Sequence, residues 1–205
     1  MKAVITGDII NSRKVASALW LEDLKAVLNV YGSEPKDWEI YRGDSFQMVV
    51  EAIDALEIAF VIKATIKQYK ELDVRMAIGL GTIDYIADKV TESNGAAFIN
   101  SGECFEDLKK QTLGIQTPWE EFNKSFAIIF SFVLMVADNW TSTSAEILKK
   151  ALENPEINQN QLATALNRKS QSSISASLKR AGYEELKNMI AFYKQEIKKQ
   201  WEHYF

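Results

Sequence analysis

Apolar positions set out a sequence of short elements before any chemistry is considered. Lys2 to Ile10 is a short apolar run ending in Gly-Asp, which predicts a buried strand. Residues 17–30 place Leu21, Leu24, Val27 and Leu28 at helical spacing, and the turn residues Tyr31-Gly-Ser-Glu-Pro35 close that helix. Residues 38–41 and 46–50 flank Gly43-Asp44 and predict a hairpin. A long helical pattern covers 52–72, and 74–85 alternates as a strand that bends at Gly79 and Gly81. Residues 96–110 return to a helical pattern, 113–118 read as a connector, and a third long helix starts at Trp119.

The order β-α-β-β-α-β predicts a ferredoxin-like sheet with helices on one face, an α+β class. Its expected core is Val4, Ile5, Phe46, Met48, Val50, Met76, Ile78 and Leu80. Near Asp138-Asn139 the character changes, which predicts a first domain over 1–138 and an all-α domain over 139–205. Residues 141–153 predict a capped helix and 158–166 (NQNQLATAL) a second. The turn NRKS then leads into QSSISASLKRAGY. Two short helices joined by a tight turn, the second rich in Ser, Gln and basic residues, are what a helix-turn-helix requires. Leu162, Ala163 and Leu166 are expected to face Ile174 and Leu178, and 184–201 to form a terminal amphipathic packing or dimer helix.

Charge sharpens this division. Residues 141–205 hold ten Lys/Arg against seven Asp/Glu, leaving fourteen against twenty-one for the rest, so a mildly basic tail follows an acidic body. The single cysteine, Cys104, excludes an intrachain disulfide framework and a Cys-rich zinc site. The single histidine, His203, argues against a His-based metal centre or a Ser-His-Asp triad. Phe126 to Ala137 is the most apolar window, too short to span a bilayer, and predicts a buried core or dimer helix. With no leader-like segment after Met1, the expectation is a cytoplasmic protein that avoids the membrane.

Candidate chemistry lies in the two Gly-Asp pairs. Asp8 ends the first strand and Asp44 sits in the hairpin turn. In a ferredoxin-like sheet the first and third strands are central neighbours, so both carboxylates are expected at one edge. Alone, Asp44 reads as ordinary turn chemistry. Together, the two suit Mg²⁺ or Mn²⁺, which take oxygen ligands and also bind substrate phosphates. Asn11, Ser12 and Arg13 are candidates for a phosphate loop, or for a plain helix cap. In the tail, Gln171, Ser172, Ser173 and Ser175 are placed to read base edges. Arg168, Lys169, Lys179 and Arg180 are placed to hold DNA phosphates. The bland alternative for all of them is the solvated face of a helical bundle.

Several of these stretches resemble a known family. VITGDIINSR resembles the opening strand of class III nucleotidyl cyclase domains. YRGDSFQMVV resembles their Gly-Asp hairpin, and also that of diguanylate cyclases, with Ser45 where those carry a second acid. LDVRMAIGLGTI resembles the following strand, and NGAAFINSGECF, more loosely, the segment that carries a catalytic Asn and Arg. These matches cover roughly residues 1–110 in order. The resemblance implies a palm domain with Asp8, Asp44 and the Ile9 carbonyl as metal ligands and Asn100 as the candidate catalytic Asn. The chain departs from the pattern at Ile40, where the base-reading Lys is expected, and at Cys104, where the Arg is expected. Arg42, Arg75 or Lys89 are the available substitutes. The whole arrangement, a cyclase-like front and a helix-turn-helix back, is similar to the small bacterial SatD family.

The expected function is therefore a DNA-binding transcription regulator, acting as a homodimer. Its degenerate cyclase-like domain would sense a nucleotide or phosphate ligand. The alternatives are a divergent metal-dependent nucleotidyl cyclase or transferase, and a non-catalytic dimerisation or interaction protein.

Overall fold

The computed structural model describes residues 1–168 and 170–204. It is a mixed α+β fold with one five-stranded sheet and eight helices. The sheet contains β1 (Lys2–Ile10), β2 (Trp38–Tyr41), β3 (Ser45–Glu51), β4 (Asp73–Gly81) and β5 (Leu113–Gln116) in the order β2-β3-β1-β4-β5. β1 lies at the centre, antiparallel to both β3 and β4. The stretch 113–118, expected as a connector, contains β5, which pairs parallel to β4 with Met76 opposite Leu113. Four residues are too few to show a period, and only the neighbouring strand reveals their conformation.

Strand alternation sorts the side chains between two faces. Ala3, Ile5 and Ile9 of β1 join Met76, Ile78 and Leu80 of β4 in the main apolar core, under α1 (Ser17–Tyr31) and α2 (Ala55–Ile66). Gly7 shares this face because the Phe46 ring fills the space where its side chain would stand, 2.3 Å from an ideal Cβ. Val4, Thr6 and Asp8 face the other way, toward α3 (Ala96–Asp107). Two expectations are corrected here. Helices do not all lie on one face, because parallel β4 and β5 require a crossover and α3 makes it on the far side of the sheet. Val4 leaves the main core and packs with Val90, Ala97 and Phe98 instead.

α2 is buried on nearly every side, Glu57 excepted, which accounts for its almost continuous apolar run. Its outer side is covered by α5 (Ser142–Glu153) and α8 (Tyr183–Tyr204). The main core accordingly continues from the sheet into Leu148 of α5 and Leu186, Ile190 and Tyr193 of α8. α4 (Glu120–Ala137) contributes Phe122, Phe126, Phe130 and Leu134 to this core. Its other side is open, with Ile128, Phe132 and Met135 61–69 % exposed, so only one side of the helix is core. Among the described residues no helix is long and apolar enough to cross a membrane.

A buried charge cluster fixes the junction between sheet and C-terminal helices. Lys63 of α2 is fully buried and donates to Asp73 at 2.7 Å and to Thr112 at 3.0 Å, with Asp138 at 2.8 Å. Lys67 adds bonds to Asp73 at 3.2 Å and to the Asp138 carbonyl at 2.7 Å.

The last helices form a smaller cluster of their own. α6 (Gln159–Ala165) and α7 (Gln171–Ala181) bring Leu162 and Ala163 against Ile174 and Leu178, with Ile147 and Ala151 of α5 beneath. Asn158 caps α6 through a reciprocal box with Gln161, and Thr141 does the same for α5 with Ser144.

Candidate functional site

Asp8 pairs with Ser45 of β3 on one side and with Arg75 of β4 on the other. Directly opposed residues project to the same face, so Ser45, Asp8 and Arg75 form a polar row on the α3 side of the sheet. Tyr41 pairs with Ser45, leaving Arg42, Gly43 and Asp44 as the hairpin loop. Arg42 and Gly43 have φ of 55° and 94°. Glycine takes such angles freely, whereas arginine there is uncommon and marks a constrained turn. The loop carries Asp44 back over β1, where its carbonyl accepts the Ile9 N–H at 3.0 Å.

Serine hydroxyls hold both carboxylates. Ser45 donates to Asp8 at 3.0 Å and Ser12 donates to Asp44 at 2.6 Å. Burial is the main cause that raises the Asp8 carboxyl above its ordinary value. The Ser45 hydrogen bond opposes it, the nearby Asp44 charge adds to it, and Arg75 opposes it. The same pocket of low solvation raises the Tyr41 phenol, with Arg42 opposing and Asp8 adding to the effect. The two carboxylates are therefore electrostatic neighbours.

Arg75 joins them from β4. Its guanidinium lies 4.3 Å from the centroid of the Phe105 ring, a cation–π contact with the C-terminal part of α3. Deeper along the same face, Gln47 donates to Thr6 at 3.2 Å and Thr6 shares a hydrogen bond of 3.0 Å with Ser101. Thr6, Gln47 and Ser101 escaped the sequence reading. The signal available for them was parity, since Thr6 and Gln47 occupy the same alternating positions as Asp8 and Ser45.

Other candidate residues are placed differently. Asn100 is not beside the carboxylates. Its amide donates to the Leu80 carbonyl at 2.6 Å, and Leu80 pairs with Ala3. Five strand residues separate that pair from Asp8 and Arg75, roughly 16 Å at ~3.3 Å per residue. The reason is the direction of α3, which starts beside Gly81 and brings Phe105, not Asn100, to Arg75. Cys104 is half-buried and its thiol is pushed up to about 11, mainly by burial, with the Asp107 charge adding. Ile40 packs against the main core. Asn11 adopts a left-handed φ of 62° and gives its amide to the Glu71 carbonyl at 3.1 Å rather than capping the short 3-10 turn Ser12–Lys14. Arg13 is exposed beside it.

The donor set can be tested against a divalent cation. Asp8 and Asp44 offer hard oxygen atoms, and the N–H and C=O of one strand residue point to the same side, so the Ile9 carbonyl lies on the Asp44 side of β1. A dication would relieve the desolvation and the mutual repulsion that raise Asp8. The residues present thus fit Mg²⁺ or Mn²⁺ in chemistry. Among the described residues no three or more His, Cys, Asp or Glu side chains gather as metal ligands. Solvent or ligand oxygens would have to complete the coordination shell.

On the C-terminal helices, Gln171, Ser172, Ser173, Lys179 and Arg180 are exposed and Ser175 is half-buried. Ser170 caps α7 and interacts with Ser172 at 3.0 Å, while Ser173 donates to the Ser170 carbonyl at 2.7 Å. Gln171 is engaged with Gln159, Arg168 with Glu146, and Arg180 with Ser177 at 3.1 Å. Lys169 lies outside the described residues.

Comparison with protein-family models and with curated proteins returns no match for the chain.

Proposed function

We propose that this chain is a cytoplasmic, DNA-binding transcription regulator of the SatD-like type. Its first part is a ferredoxin-like palm that binds a nucleotide or other phosphate ligand, and its second part is a helix-turn-helix. The observation that carries the reading is the row Ser45–Asp8–Arg75 with Asp44 folded over it. Two carboxylates with a guanidinium on the adjacent strand suit a cation and the phosphate it binds. Mg²⁺ or Mn²⁺ held by Asp8, Asp44 and the Ile9 carbonyl would polarise and neutralise that phosphate. Arg75, fixed by Phe105, supplies the anion-binding fork.

The palm reading draws further support from the strand order, in which β1 lies between β3 and β4. The helix-turn-helix reading draws on the small α5–α6–α7 cluster and the exposed polar start of α7. The exposed Ile128, Phe132 and Met135 of α4 give a homodimer its contact surface. In that case Phe132→Glu converts the dimer to a monomer in light scattering, and an unchanged mass removes this surface from the scheme.

The test of function has two arms. Mn²⁺ with a nucleoside triphosphate is expected to raise the melting temperature of the wild type but not of Asp44→Asn. Gel shifts on genomic fragments at low salt are expected to show binding that weakens steeply with salt and is lost in Lys179→Glu/Arg180→Glu. A folded protein that shifts no fragment refutes the DNA reading, and equal thermal shifts in wild type and Asp44→Asn refute the ligand site.

A second reading, a divergent nucleotidyl cyclase or transferase, is favoured by one observation: Arg75 lies beside Asp8 and could replace the Arg that Cys104 displaces. Incubation with the four nucleoside triphosphates and Mn²⁺ would yield a cyclic or linear product by mass spectrometry. No product from wild type or Asp8→Ala eliminates it.

A further inference from the structure

A cavity of about 750 Å³ opens at the end of the sheet opposite the carboxylates, where β1 begins and β3 and β4 end. Six strand residues separate Lys2 from Asp8, so the two places are about 20 Å apart at ~3.3 Å per residue. The volume falls in the range of small-molecule sites. Its walls are mainly apolar, including Val49, Ile83, Ile86, Phe98 and Trp119. Gly81 adds backbone without a side chain, and an ideal Cβ there would stand 2.8 Å from Ala96.

Several polar groups on the wall are committed. Lys2 pairs with Glu51, and Asp37 accepts the Ser33 N–H and hydroxyl, each at 2.9 Å. Among the described residues the exposed Lys36 makes no side-chain hydrogen bond or ion pair, and the Met1 α-amino group, lowered by burial and near the Glu51 charge, is a second cation of the wall. An apolar chamber with the ammonium groups of Lys36 and Met1 at its wall selects a particular chemistry. The body of the ligand gains by leaving water, and a single anionic group gains a charge-assisted bond.

We infer that this cavity binds a small apolar molecule carrying one carboxylate, such as an aryl or medium-chain acyl acid. The site is separate from the Asp8–Asp44 row and stands or falls independently of it. Because Trp119 precedes α4 and Gln200 belongs to α8, an occupant touches the sheet and both of these helices at once.

The test is calorimetric titration of the full chain with 2-naphthoate and octanoate, beside their neutral counterparts 2-naphthol and 1-octanol. The expected result is saturable one-site binding in which each carboxylate is favoured over its alcohol by about tenfold. Lys36→Met reduces that preference while leaving alcohol binding unchanged. Ile86→Trp, at a residue 68 % exposed and so tolerant of change, fills the cavity and weakens all four probes by at least about tenfold. Thr82→Trp, also at an exposed position, is the second blocking variant and should behave alike. Absence of saturable binding by both acids, equal affinity for acid and alcohol, or binding indifferent to both tryptophan variants would each overturn the inference.

Discussion

Replacing Lys63 by methionine isolates the cost of stranding buried carboxylates. Methionine keeps most of the volume of the lysine stem, so packing in α2 changes little and the charge is what is lost. Lys63 is fully buried, while the Asp73 and Asp138 side chains are 16 % and 33 % exposed. In the variant Asp73 keeps Lys67 at 3.2 Å and the Val74 N–H at 2.8 Å. Asp138 fares worse, because Lys67 meets it at the backbone carbonyl and Thr112 is then its carboxylate's partner, at 2.5 Å. Removing one member of a buried ion cluster costs about 3–5 kcal/mol. For a chain of this length that corresponds to a fall of about 10 °C in melting temperature. Urea denaturation should show the midpoint moving with an unchanged slope. Adding Asp138→Asn to Lys63→Met removes one stranded charge and should recover about 1–2 kcal/mol. A loss below about 1 kcal/mol in the single variant, or no recovery in the double, would refute the view that this cluster ties β4, the start of β5 and the α4–α5 junction together.

Three further outcomes are expected. Asp8→Asn should stabilise the ligand-free protein slightly at neutral pH, by less than about 1 kcal/mol for a part-exposed group, while abolishing the Mn²⁺ response. Asp8 is raised in the fold, so its favourable contribution is present below its unfolded value and lost as pH rises through its folded one; a ligand-free Asp8→Asn protein that melts lower at pH 7 contradicts this. Cys104, with its thiol pushed up to about 11, should carry about a hundredfold less thiolate at pH 8 than a free cysteine; alkylation by iodoacetamide at the rate of a free thiol would show that burial does not control it. Gly79→Ala would put a methyl 2.2 Å from the Ala97 carbonyl and the Ser101 N–H, forcing α3 off β4 and costing about 1–3 kcal/mol; an unchanged urea midpoint would mean that α3 adjusts freely.

Gly79 also shows where sequence reasoning stops. From the sequence, Gly79 and Gly81 read as a bend that loosens the strand. In the structure β4 continues to Gly81, and the missing side chains admit the backbone of α3. Periodicity and turn chemistry are local, so β1, the hairpin, α1, α5 and the α6–α7 pair were legible from neighbouring residues. The expectation that Asp8 and Asp44 share one sheet edge came from two Gly-Asp pairs and a central first strand; in the structure Asp8, within β1, stands opposite Ser45 with the Asp44 charge nearby.

Three features depended on residues far apart in the chain. β5 exists because Leu113–Gln116 pairs with β4. α3 lies opposite α1 and α2 because that parallel pairing demands a crossover. Lys63 is buried because Asp73, Thr112 and Asp138 converge on it from separate segments. The sequence by itself therefore determined which residues could pair, cap or turn, since those preferences act over a few bonds. Only the tertiary structure decided which face each side chain occupies, which buried charge is compensated, and where the apolar cavity opens, because burial and electrostatic pairing depend on distances that chain order does not contain.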